Sequence, residues 1–196
     1  MRLTRSELEA ARGRSLPDLV GPGTRILFVG INPGLRSAAV GAHFGGGSNR
    51  FYPALHRAGI VGHRIDASDG FRAADTAHLL ERGVGITSLV PGATARADEL
   101  DAAALVAGVR ELATRIPTIA PRLVAMLGIT AYRVAFDRPG ATLGPQEATL
   151  AGTPVWVLPN PSGLNRHASL ADLAAAYREA ALAAGIVLYP PLGDPR

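Results

Sequence analysis

One stretch of the sequence decides the fold: residues 25–34 read RILFVGINPG. Residues 25–31 form an apolar run with almost no alternation, which is typical of a strand buried on both faces, as in a parallel sheet. The next three residues, Asn32-Pro33-Gly34, are a turn signal. The sequence therefore predicts a buried strand that ends in a polar turn.

Strands and helices alternate on both sides of this stretch. Further apolar runs predict strands at residues 84–90, 122–127 and 154–158. Helical patterning is present at residues 4–12, 49–59, 76–82, 101–116, 130–136 and 169–184. Because such alternation is typical of strands joined by crossover helices, we expect a three-layer α/β/α sandwich around a short, mainly parallel sheet.

Two of the predicted helices have capping signals at their starts. Thr4 is followed three residues later by Glu7, which is the pattern of a capping box. Asp98 is expected to cap the helix at 101–116, because its side chain can accept a hydrogen bond from an unpaired backbone N–H of the first turn.

The chain shows no internal repeat and no long linker. We therefore expect one domain over residues 25–187, with residues 1–24 as an N-terminal extension that packs on it and residues 188–196 as a C-terminal tail. No apolar run approaches the roughly 20 residues that cross a bilayer, and residues 1–14 lack the apolar region of a signal peptide. The expected location is the cytoplasm, without membrane contact.

Composition excludes several classes of protein. The chain has 196 residues, of which 47% are apolar and 18% charged, so it is not a disordered chain. It has no cysteine, which excludes disulfides, thiolate metal sites and cysteine nucleophiles. All 20 basic residues are arginine, which excludes lysine Schiff-base chemistry. The net charge of +4 is compatible with a polyanionic partner, although the arginine bias also fits the codon usage of a GC-rich genome.

Unusual polar sequences follow two of the predicted strands, GINPG at residues 30–34 and NPSGLNR at residues 160–166. Ligands of parallel sheets bind beyond the carboxyl ends of the strands, where both motifs lie. Phe44 lies nearby in a glycine-rich loop, where it either anchors the loop in the core or offers a stacking surface to a planar ligand. Taken singly, each motif is also explained by residues that are common in turns and loops.

These motifs occur together and in a specific order: GINPG, then AHF at 42–44 and NRF at 49–51, then GITSLV at 85–90 and NPSGLNR. In this the sequence resembles the mismatch-specific uracil-DNA glycosylase / thymine-DNA glycosylase family of the uracil-DNA glycosylase superfamily, from about residue 25 to residue 179. The resemblance implies an enzyme that flips a base out of duplex DNA and hydrolyses its N-glycosidic bond. It would leave an abasic site and an uncut backbone.

The resemblance also implies roles for the residues around the flipped base. Asn32 matches the catalytic asparagine, which would position a water against C1′ through its carbonyl oxygen, because an amide has no useful ionisation. Backbone N–H groups near Ile31 and Phe44 would bind the base edge, and the Phe44 ring would stack on the base. Ser37 would narrow the pocket near C5 of a pyrimidine, which favours uracil over thymine, and Asn160 would brace the pocket.

The second motif matches the family's intercalation loop. Leu164 would be the wedge that fills the gap left by the extruded base. The main chains of Gly163 and Asn165 would pair with the widowed guanine, and Arg166 would hold the loop or a phosphate. Asn49 and Arg50 are expected at a helix start, where they would bind phosphate. For Asn49 an ordinary capping role is the alternative.

Three features depart from the family's pattern. Asn165 stands where the loop often has serine, and Ser88 stands where relatives have lysine or another polar residue, or in some branches an acid. The triplet 45–47 is all glycine, which predicts a looser Phe44 loop. Ser88 therefore leaves a second catalytic group in doubt, and Asn165 affects the expected preference for the opposite base.

No metal or organic cofactor is expected. The missing cysteines exclude the iron–sulfur branches of the superfamily, and the histidines are scattered among loops without a ligand pattern. The expected partner is double-stranded DNA with mismatched or damaged bases, bound by a monomer, with an abasic-site endonuclease acting on the product. Ethenocytosine, and weakly thymine, are expected beside uracil as substrates.

Other functions compete with this interpretation. A nucleotide-binding domain lacks support because there is no P-loop lysine and no G-x-G-x-x-G fingerprint. A serine hydrolase that uses Ser162 lacks the G-x-S-x-G elbow. The alternative that stays open is a module of the glycosylase fold that binds lesions or mismatches with little turnover.

Overall fold

The computed structural model describes residues 3–190 of the chain. Seven helices and five strands are present in this part. The helices are α1 (Arg5–Glu9), α2 (Leu35–Val40), α3 (Phe51–Arg57), α4 (Ala73–Glu81), α5 (Ala102–Ile119), α6 (Ile129–Ala135) and α7 (Leu170–Ala183). The strands are β1 (Ile26–Gly30), β2 (Val84–Ser88), β3 (Leu123–Leu127), β4 (Gly144–Leu150) and β5 (Thr153–Leu158).

The five strands form one sheet in the order β2-β1-β3-β5-β4. The first four of these run parallel, and β4 pairs antiparallel with β5 at the edge. Helices α3, α4 and α7 cover one face, and helices α5 and α6 cover the other. The predicted three-layer sandwich is confirmed, and every residue of β1 and β3 is buried, as continuous apolar runs require.

Aromatic side chains join the central strand to the helices beneath the site. The ring of Phe28 on β1 meets Phe51 on α3 edge to face, with centroids 5.2 Å apart, and lies 5.5 Å from the ring of Tyr177 on α7. All three side chains are fully buried. Edge-to-face packing of this kind adds stability beyond area burial, so α3 starts from a fixed position beside the end of β1.

Two elements were not predicted from the sequence. Helix α2 follows directly after the GINPG turn. Its N-cap residue is Gly34, which has no side chain to cap the helix, so no capping signal marks it. Strand β4 alternates between half-buried and exposed residues, because it lies at the sheet edge with one side facing solvent. Its sequence GPQEATL has none of the β-branched density that marks a buried strand.

The capping predictions had different outcomes. Thr4 and Glu7 form the predicted capping box at α1. The cap predicted at Asp98 is wrong, because Asp98 lies in a short 3-10 turn, Ala97–Glu99, and the side chain of Asp101 accepts the N–H of Ala104 at 2.7 Å. Both aspartates precede the same helix, and only the later one has its carboxylate beside the first free N–H groups.

The N-terminal segment is tied to the sheet by polar contacts. Leu19 pairs with Ile86 of β2 in antiparallel fashion. The carboxylate of Asp18 accepts hydrogen bonds from the Thr87 hydroxyl and from the Arg115 guanidinium, each at 2.5 Å. Because Thr87 is fully buried, these bonds satisfy a polar group inside the fold.

Of the predicted C-terminal tail, residues 188–190 are described and 191–196 lie outside the described residues. The N–H of Tyr189 donates to the carbonyl of Gly59 at 2.8 Å, and the Arg82 guanidinium lies 4.5 Å from the centre of the Tyr189 ring. Within residues 3–190 no helix is both long and apolar enough to cross a membrane.

Gly108 provides a test of how α5 packs on the sheet. A Cβ added there would lie 2.5 Å from the carbonyl oxygen of Leu89 in the chain leaving β2. Alanine normally stabilises a helix interior by about 1 kcal/mol relative to glycine. Here we expect Gly108→Ala to lower the free energy of unfolding by about 1–2 kcal/mol, because a backbone atom must move.

Urea denaturation measures this change, and Gly140→Ala is the matched control. A Cβ at Gly140 meets nothing within 4 Å, so this variant should stay within about 0.5 kcal/mol of the wild type. A Gly108→Ala protein that is more stable than the wild type would mean that α5 is not held this close to Leu89.

Candidate functional site

The carboxyl ends of β1, β2 and β5 surround a cavity of about 550 Å³. A cleft of this size, bounded by loops at the strand ends, is the usual ligand site of a parallel sheet. Eight of the residues predicted for the site line it: Ile31, Asn32, Ser37, Phe44, Asn49, Asn160, Gly163 and Leu164. Arg50, Asn165 and Arg166 are not among the lining residues.

The carboxamide of Asn32 is held in one orientation. Its Nδ2 donates to the carbonyl of Gly92 at 3.0 Å and to the Thr94 hydroxyl at 2.8 Å. The Thr94 hydroxyl donates its only hydrogen to the carbonyl of Arg96, at 2.7 Å. Its oxygen can therefore only accept a hydrogen bond from Asn32. Both neighbours of the amide are therefore acceptors, and the amide nitrogen must point at them.

The opposite end of this amide, Oδ1, is consequently the end available to a ligand. Within residues 3–190 no hydrogen bond reaches Asn32 Oδ1, and Asn32 lines the cavity. A carboxamide oxygen accepts hydrogen bonds but takes no proton near neutral pH. Asn32 can therefore orient a water molecule and cannot act as a general base.

Phe44 forms an aromatic wall of the cavity. Its ring stacks on Phe51 with centroids 4.1 Å apart and planes at 29°. The backbone of Phe44 has a φ of 55°, in the left-handed region that costs energy for a bulky residue. A Cβ on Gly30 would lie 3.2 Å from the ring, so glycine at the end of β1 lets the ring approach the strand. The residue thus packs on the core and borders the cavity at once.

The loop that carries Phe44 is fixed by buried polar contacts of His43. Its Nε2 lies 2.9 Å from the carbonyl of Pro17, and its own carbonyl accepts a hydrogen bond from the Tyr52 hydroxyl at 2.8 Å. Burial lowers the pKa of His43, so the ring is neutral near pH 7. Burial raises the pKa of Tyr52 well above its ordinary value, which keeps this phenol a donor.

Ser37 lies on α2, almost fully buried, and lines the cavity. Its main-chain carbonyl accepts the N–H groups of Gly41 and Ala42, which end the helix and start the glycine-rich loop. The position of its side chain is therefore set by the same turn that carries the chain toward Phe44.

The second motif forms the opposite rim of the cavity, and we name residues 160–168 the wedge loop. Its polar groups bond within the loop: Asn160 Oδ1 accepts the N–H of Ser162, and Asn165 Nδ2 donates to the carbonyl of Asn160, each at 2.9 Å. The side chain of Leu164 is 80% exposed at the apex. A Cβ on Gly163 would lie 2.7 Å from the carbonyl oxygen of Ser48, so glycine lets the two loops touch.

The expectation that Arg50 binds phosphate is corrected by its contacts. Its guanidinium donates to three main-chain carbonyls of the wedge loop: Ser162 at 3.0 Å, Asn165 at 2.7 Å and Ala168 at 2.5 Å. A guanidinium engaged inside the fold in this way has its donors turned away from solvent. Arg50 therefore braces the loop, a role that the sequence had suggested for Arg166.

Two of the other residues predicted to contact DNA, Asn49 and Asn165, are bonded within the fold. Asn49 Oδ1 accepts the N–H of Phe51, the first residue of α3, at 2.9 Å, although the N-cap position itself is Arg50 and not Asn49 as the capping alternative had it. The main chain of Asn165 is engaged, since its N–H donates to Ser162 and its carbonyl accepts from Arg50. The N–H of Asn165 is therefore not available for the expected pairing with guanine, while its carbonyl oxygen keeps a second lone pair.

Gly163 and Arg166 have free groups on the same rim. Among the described residues, none forms a hydrogen bond with the Gly163 main chain, and Arg166 is exposed without one. Gly163 therefore keeps main-chain groups that could meet a partner base. Arg166 stays a candidate for contact with a phosphate.

Sequence reasoning missed the loop between β2 and α5. Gly92 and Thr94 orient Asn32, and Arg96 extends the cavity rim, yet no motif marks this loop. The available signal was topological, because β2 neighbours β1 and its carboxyl end must lie beside the GINPG turn. Leu8 of α1 also lines the cavity, so the N-terminal segment contributes a wall.

The part of the chain that the structure describes holds no group of three or more histidine, aspartate or glutamate side chains placed to bind a metal ion. His63 Nε2 lies 2.8 Å from an Asp75 carboxylate oxygen, with the ring of His78 4.8 Å from the His63 ring, away from the cavity-lining residues.

The chain is similar to known proteins in sequence and in fold. The family model described as the uracil DNA glycosylase superfamily matches residues 17–184. A similar solved structure is the solution NMR structure of a protein from Methanosarcina acetivorans that is provisionally named a uracil DNA glycosylase. The TM-score is 0.58 at 19% sequence identity, over 85% of this chain and 97% of that one. At that identity the structural match supports the fold alone.

The buried His43 predicts a specific dependence of stability on pH. Because burial lowers its pKa in the folded state, the unfolded chain binds a proton that the folded chain does not. The free energy of unfolding should therefore fall as pH drops below about 6.5, the ordinary value for histidine. His43→Gln, which keeps an N–H donor near Pro17 and does not titrate, should lose less stability over this range.

Urea denaturation at about pH 7.5 and about pH 5.5 measures this difference. The matched control is His167→Gln, which removes an imidazole that is exposed rather than buried. An identical pH dependence in His43→Gln and the wild type would show that burial of His43 carries no such penalty.

Proposed function

This chain belongs to the uracil-DNA glycosylase superfamily, and from that premise we propose that it is a monofunctional, mismatch-specific DNA glycosylase that releases uracil from G·U mismatches in duplex DNA. One observation carries the proposal: the Asn32 carboxamide is fixed by two acceptors, so that its oxygen faces a cavity walled by the Phe44 ring. That arrangement suits a water-positioning group beside a flat, extruded base.

The proposed reaction is hydrolysis. Asn32 Oδ1 accepts a hydrogen bond from a water and turns the lone pair of that water toward C1′ of the deoxyribose. The N-glycosidic bond breaks with its electron pair going to the base, and the sugar passes through an oxocarbenium-like state. The water adds to C1′ and loses a proton to solvent, and the base anion takes up a proton, which gives an abasic sugar and a neutral free base.

The base leaves as an anion, so groups that stabilise negative charge lower the barrier. In the proposal, backbone N–H groups near Ile31 and Phe44 bind the base edge as an oxyanion hole binds its oxygen. Position 32 carries no carboxylate to offset the cationic sugar. We therefore expect slower chemistry than in superfamily members with aspartate at this position.

Selection among bases follows from the shape of the cavity. Phe44 offers a face to any planar base, while the buried Ser37 narrows the wall where a C5 substituent would lie in the proposed pose. One small apolar group typically discriminates by about 1–3 kcal/mol. We therefore propose uracil as the preferred pyrimidine, ethenocytosine as a further substrate and thymine as a weak one.

In the proposal the wedge loop acts on the duplex. Leu164 is an apolar side chain exposed at the apex of this loop, which suits insertion into the gap left by the base. The free main-chain groups of Gly163 would meet the widowed guanine, and Arg166 would meet a phosphate. Asn160 braces this rim through its contacts with Ser162 and Asn165.

The same proposal sets the molecular context. The partner is double-stranded DNA with mismatched or damaged bases, and the acting form is a cytoplasmic monomer, nucleoid-associated in a bacterium, that needs no cofactor. An abasic-site endonuclease would process the product. A net charge of +4, carried by arginines, favours a polyanionic partner.

Asn32→Ala removes the proposed water-positioning oxygen. Single-turnover release from a labelled G·U duplex should fall at least about 100-fold, since misplacing a reactant by about 1 Å costs that much. Binding of the same duplex should stay within about threefold, because Asn32 lines the cavity and most contacts of a protein with a duplex are made to phosphate and sugar. Alkali cleavage of abasic sites reports the release, with G·T, G·ethenocytosine, A·U and single-stranded uracil run beside G·U.

Two results would contradict the proposal. Unchanged release by the Asn32→Ala variant would remove Asn32 from the mechanism. No release of any base by a folded wild-type protein that binds mismatched duplexes would favour the lesion-binding module instead.

Thr94 tests the orientation of the Asn32 amide. Thr94→Val removes one of the two acceptors of Nδ2, so we expect single-turnover release to fall about tenfold, the factor that one hydrogen bond supplies. The affinity for the duplex should stay unchanged. Thr94→Ser keeps the hydroxyl and is the matched control, with a rate within about twofold of the wild type. Equal loss in both variants would contradict this role of the hydroxyl, because Thr94→Ser keeps it.

A further inference from the structure

The wedge loop exposes an apolar side chain without the support of regular secondary structure. It carries no helix or strand at its centre, yet it presents Leu164 to solvent with 80% of the residue exposed. A free loop would lose conformational entropy on ordering against DNA, and this loss would subtract from the binding energy. A loop ordered beforehand avoids that cost, so what orders it matters for function.

Arg50 makes more hydrogen bonds to this loop than any other side chain in residues 3–190. Its guanidinium donates to the carbonyls of Ser162, Asn165 and Ala168, which lie on both sides of the apex. Its backbone N–H donates to the carbonyl of Pro161 at 3.0 Å. Four carbonyls of one irregular segment are thus held by a single residue.

The chemistry of this contact requires arginine. The planar guanidinium presents five N–H donors in a fixed fork, so it can meet carbonyls that lie in different directions. A lysine ammonium is a compact point charge on a flexible stem, and it lacks that fork. Bonds from a charged donor are also stronger than neutral ones, which favours one ordered loop conformation.

Arg50 also lies between the aromatic wall formed by Phe44 and the wedge loop. It immediately precedes Phe51, whose ring supports the Phe44 ring at 4.1 Å. It immediately follows Asn49, which lines the cavity. The start of α3 therefore holds the aromatic wall on one side and the wedge loop on the other.

We propose that Arg50 is a positioning residue that holds the wedge loop in the conformation that enters the duplex, so that Leu164 is inserted without prior ordering of the loop. This inference rests on the proposed function. In the proposed complex Arg50 touches neither base nor sugar and acts through Leu164. Its loss should therefore slow extrusion from the duplex and leave the hydrolytic groups in place.

Amide hydrogen exchange of the free protein tests the ordering directly. The reporters are the N–H of Asn165, bonded to the Ser162 carbonyl at 3.0 Å, and the N–H of His167, bonded to Asn165 Oδ1 at 3.1 Å. In Arg50→Lys both should exchange about tenfold faster, because loss of charge-assisted bonds to carbonyls opens the loop. Unchanged exchange would overturn the proposal.

Arg178→Lys is the matched control. Arg178 is another partly buried arginine that donates to a main-chain carbonyl, that of Ala58 at 3.2 Å, outside the wedge loop. This variant should leave the two reporter amides unchanged. If Arg50→Lys fails to fold, as judged by circular dichroism, Arg50→Gln takes its place in both measurements, since it keeps an amide donor at the same position.

A double-mutant cycle tests whether Arg50 acts through the wedge. Single-turnover release from the G·U duplex should fall about tenfold on Arg50→Lys in the wild-type background, and less than about twofold in the Leu164→Ala background, because the ordered loop then has no wedge to present. Equal losses in both backgrounds would overturn the proposal, since Arg50 would then act elsewhere. If the wild-type protein releases no base, the proposed function fails, and the exchange measurement still decides whether Arg50 orders the loop.

Discussion

The site depends on one constraint: both hydrogen-bond partners of the Asn32 amide nitrogen are acceptors. Gly92 supplies a carbonyl, and Thr94 supplies a hydroxyl whose hydrogen is already used, so the amide oxygen must face the cavity. The sheet makes this possible, because β2 lies beside β1 and the chain leaving β2 stays paired with it, the N–H of Leu89 donating to the carbonyl of Gly30 at 2.8 Å. The topology of the sheet thus fixes the orientation of the Asn32 carboxamide, a group that does not ionise near neutral pH.

At the opposite rim, too, the fold holds the site residues in place. Helix α3 begins between the aromatic wall and the wedge loop, and Phe51 is held in the core by edge-to-face contact with Phe28 of the central strand. The rigidity of the core is thereby passed to two loops that have little regular structure of their own. A binding site built on loops needs such support, because its geometry is set by the elements that hold the loops.

The sequence predicted the parts of the molecule whose signals are local or periodic. Strand β1 is an unbroken apolar run, the Thr4 capping box follows from capping chemistry, and the helical pattern at 169–184 matches α7. Strand β4 was missed because an edge strand is largely polar, and α2 because it has no side-chain cap. The resemblance to a family brought together Asn32 and the wedge loop, which lie far apart in the chain.

No sequence signal gives the partners of a guanidinium when they are main-chain carbonyls, and this is why Arg50 was expected to bind phosphate. The loop containing Thr94 was missed for a related reason, since its role depends on where the sheet places it.

The central claim is that Asn32 presents its amide oxygen to the attacking water. The most direct measurement is a crystal structure of the protein bound to a duplex in which 2′-fluoro-2′-deoxyuridine, whose glycosidic bond resists cleavage, stands opposite guanine. We expect an extruded uracil against the Phe44 ring and a water about 3 Å from Asn32 Oδ1, on the side of C1′ away from the base. A uracil still stacked in the duplex, or a water held by another group with Asn32 turned away, would contradict it.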